Sequence, residues 1–316
     1  MIANGTNPKA ADIAYVRFRA PDLEVMRTFL QDFGLAVTEA KSPDGSPVLY
    51  SRGTDPYPYL HVVEQGESQF LGVGFRMETL EDLEALQQLE GASALETLSE
   101  PGGGKRVRFV DPQGIEVDGV FGQTADETAT PAQREPLNFA EQRNRLGVPV
   151  RLEAGPSKVK RLGHCVLFVE DFRTSEAWYK ERFGFVNSDE IYVEDESNLI
   201  GAFMRCDRGD VAVDHHTLFL FQGGTPGTLQ HAAFEVNDWD DVMLGHDYLK
   251  KKEYKPNWGI GKHILGSQVF DYWYDPYGNN VEHFTDGDLF DANRPTARHS
   301  IDVVRAVQWG AEIPHG

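Results

Sequence analysis

Cysteine, long apolar runs and a basic N-terminal leader are all scarce or missing in this sequence. The two cysteines, Cys165 and Cys206, provide neither a disulfide framework nor the paired spacing of a cysteine zinc site, which is typical of a reducing cytoplasm. No apolar run approaches the roughly 18 residues that span a bilayer. The N-terminus lacks the basic and apolar regions of a secretory signal. We therefore expect a cytoplasmic protein with no membrane partner.

Positive charge is also scarce, because the chain has 30 basic and 50 acidic residues and a net charge of −20. Nucleic-acid binding needs a basic patch, so we expect no nucleic-acid partner. The acidity is not that of a calcium loop, since the D-x-[DN]-x-[DN]-G pattern is absent, and the glycines at 102–104 lack P-loop spacing. At 316 residues, with 40% hydrophobic and 25% charged, the chain is long enough for two globular domains.

The two halves of the chain resemble each other, with three anchors in the same order. Each anchor combines a strand-like apolar stretch with an acidic turn, an amphipathic helix or an Asp-Pro-x-Gly turn. The matched stretches are 13–35 with 163–185, 72–86 with 231–245, and 107–122 with 272–287. We predict an N-terminal domain at 1–125 and a C-terminal domain at 158–316. The connector at 126–157, rich in Pro, Thr and charge, is predicted to include a short helix at 138–147.

Histidine and tryptophan are concentrated in the second half. Nine of the ten histidines and all five tryptophans follow residue 150, and only His61 precedes it. Three residues that can bind a metal stand where the first half mostly has residues that cannot. The aligned pairs are His164 with Ala14, His231 with Gly72, and Glu282 with Asp118. We therefore expect a metal site in the second half and a structural role for the first.

Two imidazoles and one carboxylate form the facial triad that suits non-haem Fe(II). Taken singly, each of the three has a simpler interpretation. A lone histidine on a strand is more often a hydrogen-bonded core residue, and Glu282 alone is explained by a lysine partner. The metal hypothesis depends on the joint placement of the three at equivalent points of the repeat.

Four stretches resemble the type I extradiol ring-cleavage dioxygenases of the vicinal oxygen chelate superfamily. They are "GKHILGSQVFDYWYDPYGNNVE" at 261–282, "GHCVL" at 163–167, "DHHTLFLF" at 214–221 and "LQHAAFEV" at 229–236. The resemblance covers almost the whole chain. It implies an α+β fold of tandem βαβββ modules that form two barrel-like domains, of which only the C-terminal one binds metal.

The resemblance also implies roles for six residues and a reaction. His164, His231 and Glu282 would bind Fe(II), with Mn(II) as the alternative metal, and His216, His263 and Tyr272 would be catalytic. A catechol and O₂ would give a ring-opened semialdehyde acid, in a homo-oligomer. Asp271 departs from the family pattern, in which an apolar residue precedes the tyrosine. We expect Asp271 either at the outer surface or paired with a cation.

Several other residues receive weaker expectations. His215 and His216 would face opposite ways on a strand, so we expect His215 to have an outward or packing role. His246 is predicted at the surface of a helix, and His283 should face away from Glu282. Arg294 and Arg298 are candidates to meet a carboxylate on the substrate, although surface arginines are the commoner case.

Two other function classes remain open at this point. A glyoxalase-like isomerase or thiol transferase on the same fold would want an extra protein ligand. A non-catalytic binding protein of the same fold would not need His216, His263 and Tyr272.

Overall fold

A computed structural model describes residues 7–42, 44–125, 129–134, 136–311 and 313. Within these residues, no helix has both the length and the apolar character needed to cross a lipid bilayer. The chain forms two large curled sheets, one in each half.

The first sheet has eight strands and two helices. They are β1 (Ala10–Ala20), α1 (Leu23–Asp32), β2 (Ala36–Lys41), β3 (Pro47–Arg52), β4 (His61–Gln65), β5 (Gln69–Met77), α2 (Leu80–Leu86), β6 (Glu96–Thr97), β7 (Lys105–Val110) and β8 (Glu116–Phe121). The strand order is β2-β3-β4-β1-β5-β8-β7-β6. The order of elements gives two βαβββ modules, β1 to β4 with α1 and β5 to β8 with α2. In each module the first strand runs parallel to the last, β1 to β4 and β5 to β8.

The second half repeats this plan and adds a C-terminal tail. Its elements are β9 (Arg161–Val169), α3 (Phe172–Phe183), β10 (Val186–Tyr192), β11 (Leu199–Arg205), β12 (Val213–Asp214), β13 (Leu218–Gln222), β14 (Leu229–Glu235), α4 (Trp239–Lys251), β15 (Pro256–His263), β16 (Val269–Tyr274), β17 (Asn280–Thr285), β18 (Leu289–Phe290), β19 (Ala297–Ser300), α5 (Ile301–Arg305) and β20 (Val307–Gly310). Strands β12 and β18 pair separately from the main sheet.

The strand orders of the two sheets correspond one to one. The second sheet runs β19-β10-β11-β13-β9-β14-β17-β16-β15-β20, which is the order of the first sheet with one tail strand added at each edge. Ladder registers agree as well, because Gly74 pairs with Asp118 in the first sheet and Ala233 pairs with Glu282 in the second. The predicted fold of tandem βαβββ modules is therefore confirmed.

Local sequence explains where the helices begin. Asp22, Asp171 and Asp238 each precede a helix, and each side chain accepts hydrogen bonds from backbone amides of the first turn. Such caps satisfy amides that have no partner within the helix. Helix α3 ends at Gly184, whose φ of 65° is left-handed and suits glycine.

Aromatic side chains join the two halves in one hydrophobic core. Phe75 of the first sheet contacts Phe183 and Phe185, with ring centroids 4.9 and 5.2 Å apart. Phe33, just after α1, packs edge-on against Phe234 of β14. In each half, aromatic residues at the end of the first helix therefore pack against the sheet of the other half.

Two segments differ from the sequence predictions. The stretch at 138–147 forms no helix; Asn138 instead accepts a hydrogen bond from the amide of Arg145, and Asn144 donates to the carbonyl of Leu137. Asparagine side chains offer the backbone such local alternatives to helix. The C-terminal tail, which had no predicted structure, contributes β19, α5 and β20 to the second domain.

Candidate metal centre and active site

Three neighbouring strands bring His164, His231 and Glu282 together. Strands β9, β14 and β17 lie side by side in the sheet. The Nε2 atoms of the two histidines are 3.3 Å apart, and they lie 3.4 and 3.2 Å from Oε2 of Glu282. Ligand atoms bound at about 2.1 Å and at right angles to one another lie roughly 3 Å apart. The nearly equal edges of this triangle therefore fit one face of a metal coordination sphere.

Glu282 has the properties of a carboxylate that lacks its partner. Its side chain is fully buried, and neither carboxylate oxygen has a hydrogen bond of acceptable geometry. Burial alone would raise the pKa of Glu282, but the adjacent imidazoles of His164 and His231 outweigh it and hold that pKa below its usual value. A buried, ionised and unsatisfied carboxylate is costly unless a cation pairs with it. The donor set thus fits a divalent metal ion.

A glutamine that the sequence analysis missed orients one of the imidazoles. Oε1 of Gln230 accepts a hydrogen bond from Nδ1 of His231. A histidine that donates from Nδ1 keeps Nε2 free of a proton, as a metal ligand requires. Burial also lowers the pKa of His164, which favours its neutral, ligating form. The adjacency of Gln230 and His231 in the sequence was the only signal for this contact.

His216 lies beside the three residues, and its ring centroid is 4.0 Å from that of His164. Burial lowers the pKa of His216 well below its ordinary value, so this imidazole is neutral. Its Nδ1 lies 3.0 Å from Nδ1 of His215. Of the two roles expected for His215, the outward one is wrong, because His215 is as buried as its neighbour, whereas a packing role agrees with this burial. Residues 215–217 lie between β12 and β13, where the alternation of a strand does not apply.

His263 and Tyr272 form a second polar pair at the site. Nε2 of His263 is 2.9 Å from the Tyr272 hydroxyl, and Tyr272 stands directly opposite Glu282 in the β16–β17 ladder. Burial lowers the pKa of His263 to about 4. Burial and the charge of Glu282 raise the pKa of Tyr272 well above its ordinary value. The pair is therefore neutral and can exchange a proton or a hydrogen bond with a bound molecule.

Aromatic packing holds this pair in place. Phe270 stacks on His263 with ring centroids 4.1 Å apart, and Trp258 lies parallel to Tyr272 at 5.6 Å. The indole nitrogen of Trp258 donates to the carbonyl oxygen of Ala311 at 2.8 Å. The residue that follows β20 in the tail thus supports the site.

A cavity of about 390 Å³ opens onto these side chains. Besides the histidines and Tyr272, its walls are mainly apolar: Val166, Phe168, Phe203, Phe219, Phe221, Ile264, Leu265, Ile301, Val303 and Val304. Helix α5 of the tail provides three of them. Among the lysines and arginines that the structure describes, only Arg305 lines the cavity. Such a slot suits a flat, apolar molecule that carries polar atoms at one end.

Arg294 and Arg298, the candidates for a substrate carboxylate, lie elsewhere. Arg298 binds Glu190 at 2.9 Å, and the Arg294 guanidinium lies 4.9 Å from the centre of the Phe290 ring. Neither residue is part of the cavity wall. The structure therefore gives them local partners rather than a place beside the substrate.

The surface positions considered for Asp271 and His246 are not the ones that the structure shows. Asp271 is fully buried and accepts hydrogen bonds from the indole of Trp273 at 2.6 Å and from Nδ1 of His246 at 3.1 Å. His246 is only partly exposed, and the hydrogen bond to Asp271 raises its pKa. Of the two alternatives for Asp271, pairing is the one that fits, with His246 as the partner. Helix α4, which carries His246, packs over β16, which carries Asp271, and this packing covers the contact between the two residues.

The first domain has no comparable centre among its described residues. At the place equivalent to Glu282, Asp118 accepts hydrogen bonds from the Tyr15 hydroxyl at 2.9 Å and from Arg108 at 2.7 Å. Arginine and tyrosine satisfy this carboxylate, so it needs no metal. The structural role of the first domain stays a prediction.

Residues 161–283, which contain all of these ligand candidates, match the family model described as the Glyoxalase/Bleomycin resistance protein/Dioxygenase superfamily. The similarity to this superfamily thus lies in the second half of the chain, in the segment that holds the candidate site.

Curated relatives are similar over nearly the whole chain. Metapyrocatechase 2 of Cupriavidus necator is 28% identical over 306 residues, which cover 96% of this chain and 89% of that protein. Metapyrocatechase of Pseudomonas sp. strain CF600 is 22% identical over 93% of this chain and 92% of its own length.

Solved structures share the fold at lower identity. The 2,3-dioxygenase LapB from Pseudomonas sp. KL28 superposes with a TM-score of 0.76 at 19% identity, over 94% of this chain and 99% of that chain. The Mn(II)-bound glyoxalase from Novosphingobium aromaticivorans superposes with a TM-score of 0.75 at 22% identity, over 98% and 95% of the two chains. One architecture therefore serves both chemistries, and only the site can distinguish them.

Proposed function

We propose that this chain is an extradiol dioxygenase, which opens a catecholic ring beside its two hydroxyls and incorporates both atoms of O₂. One arrangement carries the proposal: three metal-binding side chains, His216 and the His263–Tyr272 pair all converge on one apolar cavity. We assign His164, His231 and Glu282 as the metal ligands and His216, His263 and Tyr272 as the catalytic residues. The product is a ring-opened semialdehyde acid, formed in the breakdown of an aromatic compound.

The names of the relatives support this reaction class. Two of them are metapyrocatechases, and another relative, 25% identical over 61% of this chain, is the biphenyl-2,3-diol 1,2-dioxygenase of Pseudomonas sp. strain KKS102. This chain spans most of the length of the first two, so the comparison applies to both domains.

A metal held by His164, His231 and Glu282 would supply Lewis-acid chemistry for the reaction of a diol with O₂. The protein's own residues manage protons and water. Tyr272 hydrogen-bonds a substrate oxygen, and Nε2 of His263, which faces the Tyr272 hydroxyl, is the atom that takes up the substrate proton. His216, which is neutral and lines the same cavity beside His164, holds or returns a proton near the reacting atoms. The apolar walls orient the ring and exclude water, so reacting groups meet at high effective concentration.

Several finer points belong to the same proposal. We assign Fe(II) rather than Mn(II), because a donor set of two histidines and one carboxylate with open positions suits Fe(II) and O₂ chemistry. We also propose a cytoplasmic homo-oligomer with domain limits at 1–125 and 158–316 and a connector at 126–157.

The direct experiment is anaerobic loading with Fe(II), followed by addition of monocyclic and bicyclic catechols in air. A yellow ring-fission product, with one O₂ consumed per catechol, is the expected result. His231→Ala should lose both bound iron and turnover, whereas Gln31→Ala, an exposed change on α1, should retain both. Iron-loaded protein that leaves every catechol intact would refute the proposal.

A glyoxalase is the second candidate, because the Mn(II)-bound glyoxalase shares the fold over nearly the full length of both chains. It would isomerise a thiol adduct of a 2-oxoaldehyde and consume no O₂. Loading with Mn(II) and assaying the methylglyoxal–glutathione hemithioacetal tests this candidate. Isomerase activity without O₂ uptake on any catechol would favour it over the dioxygenase.

A further inference from the structure

A chain of buried side chains leads away from His216 on the side opposite the cavity. Nδ1 of His216 lies 3.0 Å from Nδ1 of His215, and Nε2 of His215 lies 2.7 Å from Oδ2 of Asp189. The other carboxylate oxygen, Oδ1, is 3.2 Å from Nε2 of His299 on β19. All but His299 are buried. Four residues from three separate segments of the second domain thus form one continuous chain of hydrogen bonds.

The backbone around His215 keeps this line in register. The His215 amide donates to the carbonyl of Asp288 at 2.9 Å, and the His215 carbonyl accepts from the Ser188 hydroxyl at 2.5 Å. Phe203 contacts both imidazoles, with ring centroids at 5.4 and 4.9 Å. The imidazole of His215 therefore has little freedom to rotate.

Hydrogen-bond chemistry then decides where the protons lie. An ionised carboxylate can only accept, so Nε2 of His215 must donate to Asp189. The two facing Nδ1 atoms share one proton. With the single ring proton of His215 on Nε2, toward Asp189, Nδ1 of His215 is the acceptor and Nδ1 of His216 is the donor. The remaining nitrogen of His216, Nε2, is left without a proton and available to the cavity.

The charge state of Asp189 is consistent with this order. Burial raises the pKa of Asp189, but the hydrogen bond from His215 outweighs it, so the net pKa lies below the usual value. Asp189 therefore stays an acceptor near neutral pH.

We propose that Asp189 is a positioning residue that acts through His215 to keep His216 in the tautomer with Nδ1 protonated and Nε2 free to accept a proton. The catalytic consequence rests on the proposed dioxygenase function. The tautomer itself is a property of the folded chain and can be tested without any activity.

The first test is spectroscopic and uses the metal-free protein labelled with ¹⁵N-histidine. Long-range ¹H–¹⁵N correlation distinguishes the two neutral tautomers, and comparison with His216→Gln assigns the signals of His216. The wild type should show His216 protonated on Nδ1. Protonation of His216 on Nε2 in the wild type would overturn the proposal, whatever reaction the protein catalyses.

Asp189→Asn should reverse the donor and acceptor roles along this chain of hydrogen bonds. His299 can donate to the new amide oxygen, so the amide NH₂ faces Nε2 of His215, and the proton of His216 moves to Nε2. Glu190→Gln is the matched control, because Glu190 is the next residue on β10 and binds Arg298 rather than a histidine. We expect the tautomer to change in Asp189→Asn and to stay unchanged in Glu190→Gln.

In the iron-loaded enzyme, Asp189→Asn should lower kcat on the order of 100-fold or more while KM changes only a few-fold, since a positioned acid–base residue contributes about 10²- to 10⁴-fold. His215→Phe, which removes the acceptor but retains an aromatic ring, should lower kcat similarly. A changed tautomer with unchanged kcat would refute the catalytic part. An unchanged tautomer in Asp189→Asn would refute the positioning itself.

Discussion

Nε2 of His283 donates a hydrogen bond to the carbonyl oxygen of Phe33 at 2.8 Å, and the two rings stack with centroids 3.8 Å apart. Phe33 lies just after helix α1 of the first domain, and His283 follows Glu282 on β17. As predicted, His283 faces away from Glu282, and the structure shows that it contacts the first domain. This contact anchors the strand that carries the candidate ligand.

His283→Phe should therefore destabilise the protein without disturbing the ring stack. The new ring can still pack on Phe33, but the buried carbonyl oxygen loses its donor, which costs about 1–3 kcal/mol. Urea denaturation followed by tryptophan fluorescence measures the change. An unfolding midpoint equal to that of the wild type would show that water replaces the imidazole.

His61, the single histidine before residue 150, should make stability depend on pH. It is buried on Phe18, and burial lowers its pKa from 6.5 to about 3. The unfolded chain then binds a proton that the folded chain does not, so stability falls as the pH drops from about 6.5 toward 3, by up to about 1.4 kcal/mol per pH unit.

His61→Phe removes the group that binds this proton in the unfolded chain. Its free energy of unfolding should decline less steeply than that of the wild type between pH 6.5 and 4.5, when both are measured by urea denaturation at each pH. Parallel slopes for the two proteins would contradict the assignment.

Asp271→Leu should be destabilising, although leucine resembles the apolar residue of the family pattern. The indole NH of Trp273, now bonded to Asp271 at 2.6 Å, would be left buried without an acceptor, at a cost of about 1–3 kcal/mol. Asp247→Leu, at an exposed position on α4, is the control and should have little effect. Thermal unfolding of the two variants provides the comparison, and equal stability of both would argue that Asp271 is dispensable.

Gln230→Leu should weaken metal binding rather than folding. Without the Gln230 acceptor, His231 no longer has a fixed tautomer, and loss of such a supporting contact typically costs 10- to 100-fold in affinity. Competition with a chelator for Fe(II) measures the affinity, with the exposed Gln31→Leu as control. The idea fails if Gln230→Leu retains wild-type affinity.

The cavity should favour catechols that carry an apolar substituent. Its volume of about 390 Å³ exceeds what a single ring needs, and Ile301, Phe203 and Phe219 form part of its apolar wall. We expect kcat/KM to rise from catechol to alkyl or aryl catechols, and Ile301→Asp to reduce this preference by about 10-fold or more. A higher kcat/KM for carboxylated catechols would instead give Arg305 a role in binding.

The repeat explains how much of the fold the sequence predicts. Matching anchors in the two halves predict duplicated modules because each module has the same order of strand, helix and turns. The corresponding strand orders confirm this. The tail escaped prediction because β19 and β20 are four residues each and gain their stability from pairing with β10 and β15.

By itself, the sequence determined which residue types are available, namely two histidines and a glutamate at equivalent points of a duplicated module, and hence the kind of chemistry to expect. Tertiary structure decided the residues around them. Asp189 reaches His215 from 26 positions away, and α5 covers the cavity from beyond residue 300. Such contacts follow from strand pairing and side-chain packing between distant segments, and no local pattern encodes them. The same physics buries Asp271 and His215, for which short-range alternation had left a surface position as one of two alternatives.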